Sequence, residues 1–258
     1  MITQSKERVQ REIEAYDEDG VYEKSSQIHF RFRHVFESPN SLREEAYLQR
    51  TISTIDTTTR VLEVGSGQGH LAERILKTQK PASYTGLEIS QKFLEEAKDK
   101  KLHATFIDQD VHKPIEGTYD LIFGQSILHH VDYKHVLKNL YENNLAEGGT
   151  MLFSEPLGGS LLIKLYWRFG TAYHTPDERP FYPSDLKWIQ NEFPSFKIIP
   201  INYFSFPLGI ISSLFLKNPN NWLLRLADQL DYFIDRNIPF MRNRFRRALF
   251  EIKKPKKV

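Results

Sequence analysis

Residues 61–70 read Val61-Leu62-Glu63-Val64-Gly65-Ser66-Gly67-Gln68-Gly69-His70, a largely apolar run ending in glycines at alternate positions. The first four residues have the pattern of a buried strand, and they deliver the chain to a sharp turn. Glycine suits that turn, and it lets a ligand approach the backbone without a Cβ in the way. A following helix would aim its unpaired N–H groups at the same ligand. A dinucleotide loop carries glycines at its first, third and sixth positions. Here the fifth is Gly69 and the sixth is His70, and the GK[ST] ending of a phosphate-binding loop is missing. Alone, the loop is weak evidence, with a structural turn as the lesser alternative.

Its surroundings decide for a ligand. From Arg60 onward, β-rich runs at 60–64, 84–88, 105–108, 120–123 and 150–155 alternate with helical segments at 71–78, 91–100 and 133–144. That alternation predicts an α/β fold with a parallel sheet. Ser90 is placed to cap the second helix, and Gly148-Gly149 to punctuate the start of the fifth strand. Glu88 ends the second strand about 20 residues beyond the glycines, where a carboxylate can accept hydrogen bonds from ribose hydroxyls. Asp110-Val111 follows the third strand, in position for an adenine amino group and ring edge. These pieces lie at the carboxyl ends of strands, where open α/β sheets bind ligands. Together they describe a nucleoside site.

The 258 residues suffice for one elaborated domain, with 40% apolar and 26% charged residues and a net charge of +2. So small a charge gives no global attraction to nucleic acid. The absence of cysteine excludes disulfides, thiolate metal sites and cysteine nucleophiles, and fits a cytoplasmic protein. The charged N-terminus has no signal-peptide pattern, and no run is apolar for long enough to span a membrane. We read one domain over 1–258. A helical cap (1–50), with Tyr16 and Tyr22 among its aromatics, precedes a ligand-binding core (55–155). An elaboration (156–246) follows, then a last strand and basic tail (247–258). Within the elaboration lie a strand at 197–204, an apolar run at 204–216 that is buried or meets something apolar, and a helix at 221–236. The seventh strand is at 248–253.

Leu128-His129-His130-Val131 after the fourth strand completes the pattern. With it, residues 55–155 resemble the class I S-adenosylmethionine-dependent methyltransferases of the small-molecule, methyltransferase type 11-like group. Ser154-Glu155-Pro156-Leu157-Gly158 and Thr175-Pro176-Asp177-Glu178-Arg179-Pro180 resemble a bacterial subgroup that suggests no substrate. The resemblance implies a Rossmann-like sheet of seven strands in order 3-2-1-4-5-7-6, the last antiparallel, with S-adenosylmethionine across its carboxyl edge. It implies that Glu63, Gly65 and Gly67, with Ser66, Gly69 and Gln125 nearby, hold the methionine part. Glu88 would bind the ribose, Ile89, Asp110 and Val111 would frame the adenine, and Tyr16 or Tyr22 would close over the site.

Methyl transfer chiefly requires alignment, and a hydroxyl acceptor also requires a base. His130, His129 and Glu155 are the candidates, each with a packing or hydrogen-bonding role as the alternative. Tyr173 and His174, in the elaboration, are candidates for contact with substrate, or are exposed loop residues. No run has metal-ligand spacing, and adjacent Asp177 and Glu178 do not suggest a metal pair, so the expected chemistry is metal-independent. The aromatic and aliphatic content after Glu155 points to a small lipophilic or aromatic acceptor. The basic run 242–257 is a solvated face or a weak peripheral contact with anionic lipid or an acidic substrate. A cyclase-like reaction with the same cofactor and a scaffolding subunit are the alternative functions. Nucleic-acid methylation is disfavoured by the lack of an NPPY-type motif.

Overall fold

Among the described residues, strands β1 (Arg60–Val64), β2 (Ser83–Glu88), β3 (Thr105–Asp108), β4 (Tyr119–Gln125), β5 (Leu145–Pro156), β6 (Lys197–Ile201) and β7 (Arg247–Lys253) form one sheet. Its order is β3-β2-β1-β4-β5-β7-β6, as the resemblance implies. The computed structural model describes residues 2–17, 21–161, 163–164 and 178–256. Strand β1 pairs in parallel with both β2 and β4, so Val64 lies beside Leu87 on one side and Gly124 on the other. The chain moves outward from β1 to β3 and then returns to β4. That reversal opens a crevice at the carboxyl ends of β1 and β4, the usual ligand site of such sheets. Strand β7 runs antiparallel to β5 and β6.

Alternating residues of β1 face opposite layers, the period-two pattern of a strand buried on both sides. Val61 packs with Leu71, Ala72 and Ile75 of α4 (His70–Thr78) and with Leu94 and Ala97 of α5 (Gln91–Asp99). Leu62 and Val64 face Val136 and Leu137 of α6 (Tyr133–Asn139), and Ile189 of α7 (Pro183–Glu192) belongs to the same cluster. Ser90 caps α5 by accepting from the Phe93 N–H at 3.2 Å. Helices α1 (Ile2–Asp17), α2 (Val21–Arg31) and α3 (Pro39–Ile52) precede the sheet.

Three local expectations are corrected. The helix expected over 133–144 ends at Asn139 and passes through a π-helical turn, Leu140–Asn144, directly into β5. The buried Asn144 amide holds that turn by donating to the carbonyls of Ile115 and Gly117. Gly148-Gly149 therefore lies inside β5, not before it. Gly148 has φ +80°, and a Cβ on Gly149 would stand 2.8 Å from the Ala146 carbonyl oxygen. The strand expected over 197–204 stops at Ile201, because Asn202 adopts φ +63° and turns the chain. The buried Asp231 carboxylate then collects the N–H groups of Tyr203, Phe204 and Ser205, which starts helix α8 (Ser205–Phe215). The apolar run is thus this helix, followed by α9 (Trp222–Asn237).

Candidate active site

Strand β1 ends in the glycine turn, where Gly65, Gly67 and Gly69 all have positive φ. The Glu88 carboxylate at the end of β2 clamps this turn. Its Oε2 accepts from Gly67 N–H at 2.7 Å, and its Oε1 accepts from the N–H groups of Ile89 and Ser90 at 2.8 and 2.9 Å. A Cβ added to Gly67 would meet nothing within 4 Å. That backbone borders a cavity of about 290 Å³, lined by Gly65, Gly67, Glu88, Ile89, Asp110, Val111, Gln125 and His130. The apolar walls include Val64, Leu87, Phe93 and Ile127. Asp110 stands at one end, with Oδ1 accepting from the His112 N–H at 2.9 Å and lying 2.7 Å from its Nδ1. Burial acts to raise its pKa, but the hydrogen bonds from His112 outweigh it and hold the carboxyl below its ordinary value. The site thus offers carboxylates for hydroxyl and amino donors, bare backbone for close approach, and an apolar slot for a flat ring. These residues fit a nucleoside cofactor.

Residues of α1 border the same cavity. Arg8, Val9, Glu12 and Tyr16 contribute to its lining. Tyr16 sets its ring edge-on to Phe93 at 6.0 Å and lies 6.1 Å from the His130 ring. The Tyr22 side chain lies outside the described residues.

Beside the cavity, two adjoining imidazoles meet three carboxylates. The rings of His129 and His130 are 4.1 Å apart. His130 Nδ1 lies 3.0 Å from Glu12 Oε2 and 3.5 Å from Glu178 Oε1. His129 Nδ1 lies 2.7 Å from Glu155 Oε2, and its Nε2 is 4.0 Å from Glu178 Oε2. Burial and the neighbouring His130 charge push the His129 pKa down, overriding Glu155. For His130 burial also acts downward, but Glu12 and Glu178 outweigh it and the pKa rises. Donor atoms of His129, His130 and Glu178 lie within 4.8 Å of one another. The fold therefore assembles a group able to hold a cation, which the linear spacing of ligands does not reveal.

Several expected site residues stand elsewhere. Glu63 is absent from the cavity lining. It is buried inside the sheet layer, where it accepts from the Tyr84 hydroxyl at 2.6 Å, and burial raises its pKa to about 8. Ser66 is buried against Gly86 of β2, and Gly69 serves as the N-cap of α4. Glu155 is fully buried, and besides His129 it accepts from the N–H groups of Ile127 and Leu128 at 3.1 and 2.8 Å. It braces the turn after β4 and orients His129. His129 borders a smaller neighbouring cavity with Arg8, Tyr133 and Arg179. Tyr173 and His174 lie outside the described residues. Sequence reasoning missed Glu12 and Glu178, because nothing local links either to His130.

Residues 62–151 match the family model described as a methyltransferase domain. The fold, with its seven strands in this order, is that of the class I methyltransferases. A malonyl-[acyl-carrier protein] O-methyltransferase from Ilyobacter polytropus is 33% identical over 98 residues, covering 36% of this chain and 38% of the relative. The chain spans less than half the length of the curated relatives it matches. Among solved structures, the plantazolicin methyltransferase BpumL, in complex with a substrate analogue and S-adenosylhomocysteine, superimposes with a TM-score of 0.55. The two chains are 16% identical, over 98% of each. The [4+2]-cyclase SpnF gives a TM-score of 0.51 at 15% identity, over 82% of this methyltransferase-fold chain and 81% of its own.

Proposed function

We propose that the chain, acting as one domain, transfers a methyl group from S-adenosylmethionine to a small lipophilic or aromatic acceptor without a metal. The observation that carries this reading is the joint composition of the cavity. A nucleoside-type carboxylate pair, Glu88 and Asp110, stands with a buried histidine–carboxylate pair, His130 and Glu12, in one lining. The related methyltransferase structure containing S-adenosylhomocysteine supports the choice of cofactor. When bound, this cofactor supplies a methyl group already activated on a sulfonium.

What remains for the protein is placement and proton removal. Glu88 holds the ribose, Ile89, Asp110 and Val111 receive the adenine, and Gly65, Gly67 and Gln125 border the methionine part. Helix α1 excludes water from above. With a hydroxyl acceptor, His130 is the base that would take the acceptor proton, and Glu12 would steady the imidazolium. Glu155 and His129 position the turn that carries His130. Carbon and amine acceptors need the alignment and less of the base. The cysteine-free composition supports a cytoplasmic site of action.

The test is incubation with S-adenosylmethionine and a panel of lipophilic and aromatic hydroxyl, amine and activated-carbon compounds. Equal amounts of S-adenosylhomocysteine and methylated product are expected by mass spectrometry. The fold-level likeness to a cyclase motivates the second reading, a non-methylating reaction in the same cavity. Turnover without S-adenosylhomocysteine would favour it, and failure to bind either form of the cofactor would refute both.

A further inference from the structure

Much of the basic run at the end of the chain serves the fold itself. Arg242 pairs with Asp235 at 2.8 Å, Arg247 donates to the Ser154 hydroxyl at 2.6 Å, and Lys254 donates to the carbonyls of Tyr141 and Leu145 at 2.9 Å. A different surface is built for an apolar partner. Helix α8 contains no charged residue and leaves Ile211, Leu214 and Phe215 exposed. The chain turns back into α9, where Trp222, Leu226, Leu230 and Phe233 are exposed, with Phe240 just beyond. Phe215 is 78% exposed, Trp222 68% and Phe233 57%, large values for side chains of this kind.

The arrangement around α9 is ordered. At 3.6 residues per turn, Trp222, Leu226, Leu230 and Phe233 fall within an arc of about 80°. Buried Leu224, Ala227 and Ile234 fall outside that arc, so the helix carries two apolar faces and only one of them meets the core. All three aspartates lie away from the outer face and are engaged. Asp228 accepts from Asn40 at 3.1 Å and pairs with Arg43 at 3.4 Å; Asp235 pairs with Arg242. Asp231 accepts from the Ser205 hydroxyl at 2.6 Å, besides capping α8, and so ties the two helices together. Arg225 and Arg236 lie along one side of the outer stripe, and exposed Lys217 lies in the turn between the helices. None of these three cations has a carboxylate partner among the described residues. The result is an apolar stripe edged along one side by positive charge, with its aspartates turned inward.

We propose that the α8–α9 hairpin is the surface by which this protein docks on an anionic lipid bilayer. Isolated apolar side chains on a surface are ordinary, but a contiguous stripe of this kind marks an interaction site. The cationic rim selects the occupant. A second copy would bring Arg225, Arg236 and Lys217 towards their own counterparts, whereas anionic headgroups complement them. Trp222 and Tyr232 belong to the side-chain types that settle at headgroup depth. The hairpin lies on the membrane, since no helix among the described residues is long and apolar enough to cross one. The proposal is independent of the reaction catalysed.

The test is sedimentation of the full chain with phosphatidylcholine vesicles, with and without phosphatidylglycerol, at low and at physiological salt. Binding is expected to the anionic vesicles and to weaken with salt. The double variant Phe215→Ser/Phe233→Ser should lose at least tenfold in partitioning. Arg225→Gln and Arg236→Gln should each lose about fivefold on anionic vesicles. Circular dichroism and S-adenosylhomocysteine binding should match the parent, which separates loss of docking from loss of fold or of cofactor site. No binding to anionic vesicles at low salt would overturn the proposal. So would binding that ignores the Phe215/Phe233 change, or a dimer in light scattering that this change dissolves.

Discussion

Replacing Glu88 with alanine probes two functions of one carboxylate. Its oxygens accept from the N–H groups of Gly67, Ile89 and Ser90. A carboxylate offers about four acceptor positions and at least three are engaged by the backbone, so the effect is worked for a single hydrogen bond to the ribose. Hydrogen bonds to charged groups are worth about 1.5–3 kcal/mol. Losing one corresponds to roughly ten- to 150-fold in affinity. Release of Gly67 compounds that loss, because the turn bordering the cavity is no longer held in one conformation. The assay is isothermal titration with S-adenosylhomocysteine, run beside a thermal melt to establish that the variant is folded. Glu88→Asp keeps the charge but is one methylene too short to reach Gly67 and the Ile89–Ser90 amides together, and should fall between parent and alanine. A folded Glu88→Ala protein that binds within twofold of the parent would refute the assignment.

His130→Ala should lower turnover of a hydroxyl acceptor by about 10²-fold or more while cofactor affinity stays nearly unchanged. Because Glu12 and Glu178 outweigh burial and raise the His130 pKa, the parent rate should rise with pH through a midpoint above the ordinary histidine value; Glu12→Gln should shift that midpoint down. An unshifted profile would leave Glu12 a merely structural role. Burial raises the Glu63 pKa to about 8 from an ordinary 4.5, so the folded state holds a proton that the unfolded chain releases between those values. Stability is then lost as pH rises through that window. Glu63→Gln should melt progressively higher than the parent from pH 5 to 8, by a few kcal/mol at most, and a constant difference across that range would count against this account. Dialysis against EDTA should leave turnover within about twofold, on the reading that His129, His130 and Glu178 act without a metal. A large loss restored by a single divalent cation would reverse that reading.

Short-range pattern was enough to locate the sheet. The strand-turn-helix around Gly65–Gly69, the Ser90 cap and the carboxylates at the ends of β2 and β3 are local features, and the structure places Glu88 and Asp110 in one cavity. Errors arose where a distant partner overrides local preference. The expected strand ends early at the Asn202 turn, after which Asp231 caps α8 from 27 residues away, and Asn144 holds a π turn where periodicity predicts plain helix. Glu63, expected to hold the methionine part, lies outside the cavity lining with the Tyr84 hydroxyl as its partner. Glu12 and His130 are 118 residues apart, and no spacing rule connects them.

That last pairing ties proton movement to opening. Glu12 belongs to α1, which borders the cavity together with Tyr16, and the same carboxylate raises the His130 pKa. If α1 moves aside for product to leave, the imidazole loses Glu12, keeps Glu178, and is no longer buried. A proton captured from the acceptor can then pass to water through the same opening that lets the product out. Release of product and of acid would thus be one event, and a pH-indicator dye should report both with the same rate constant.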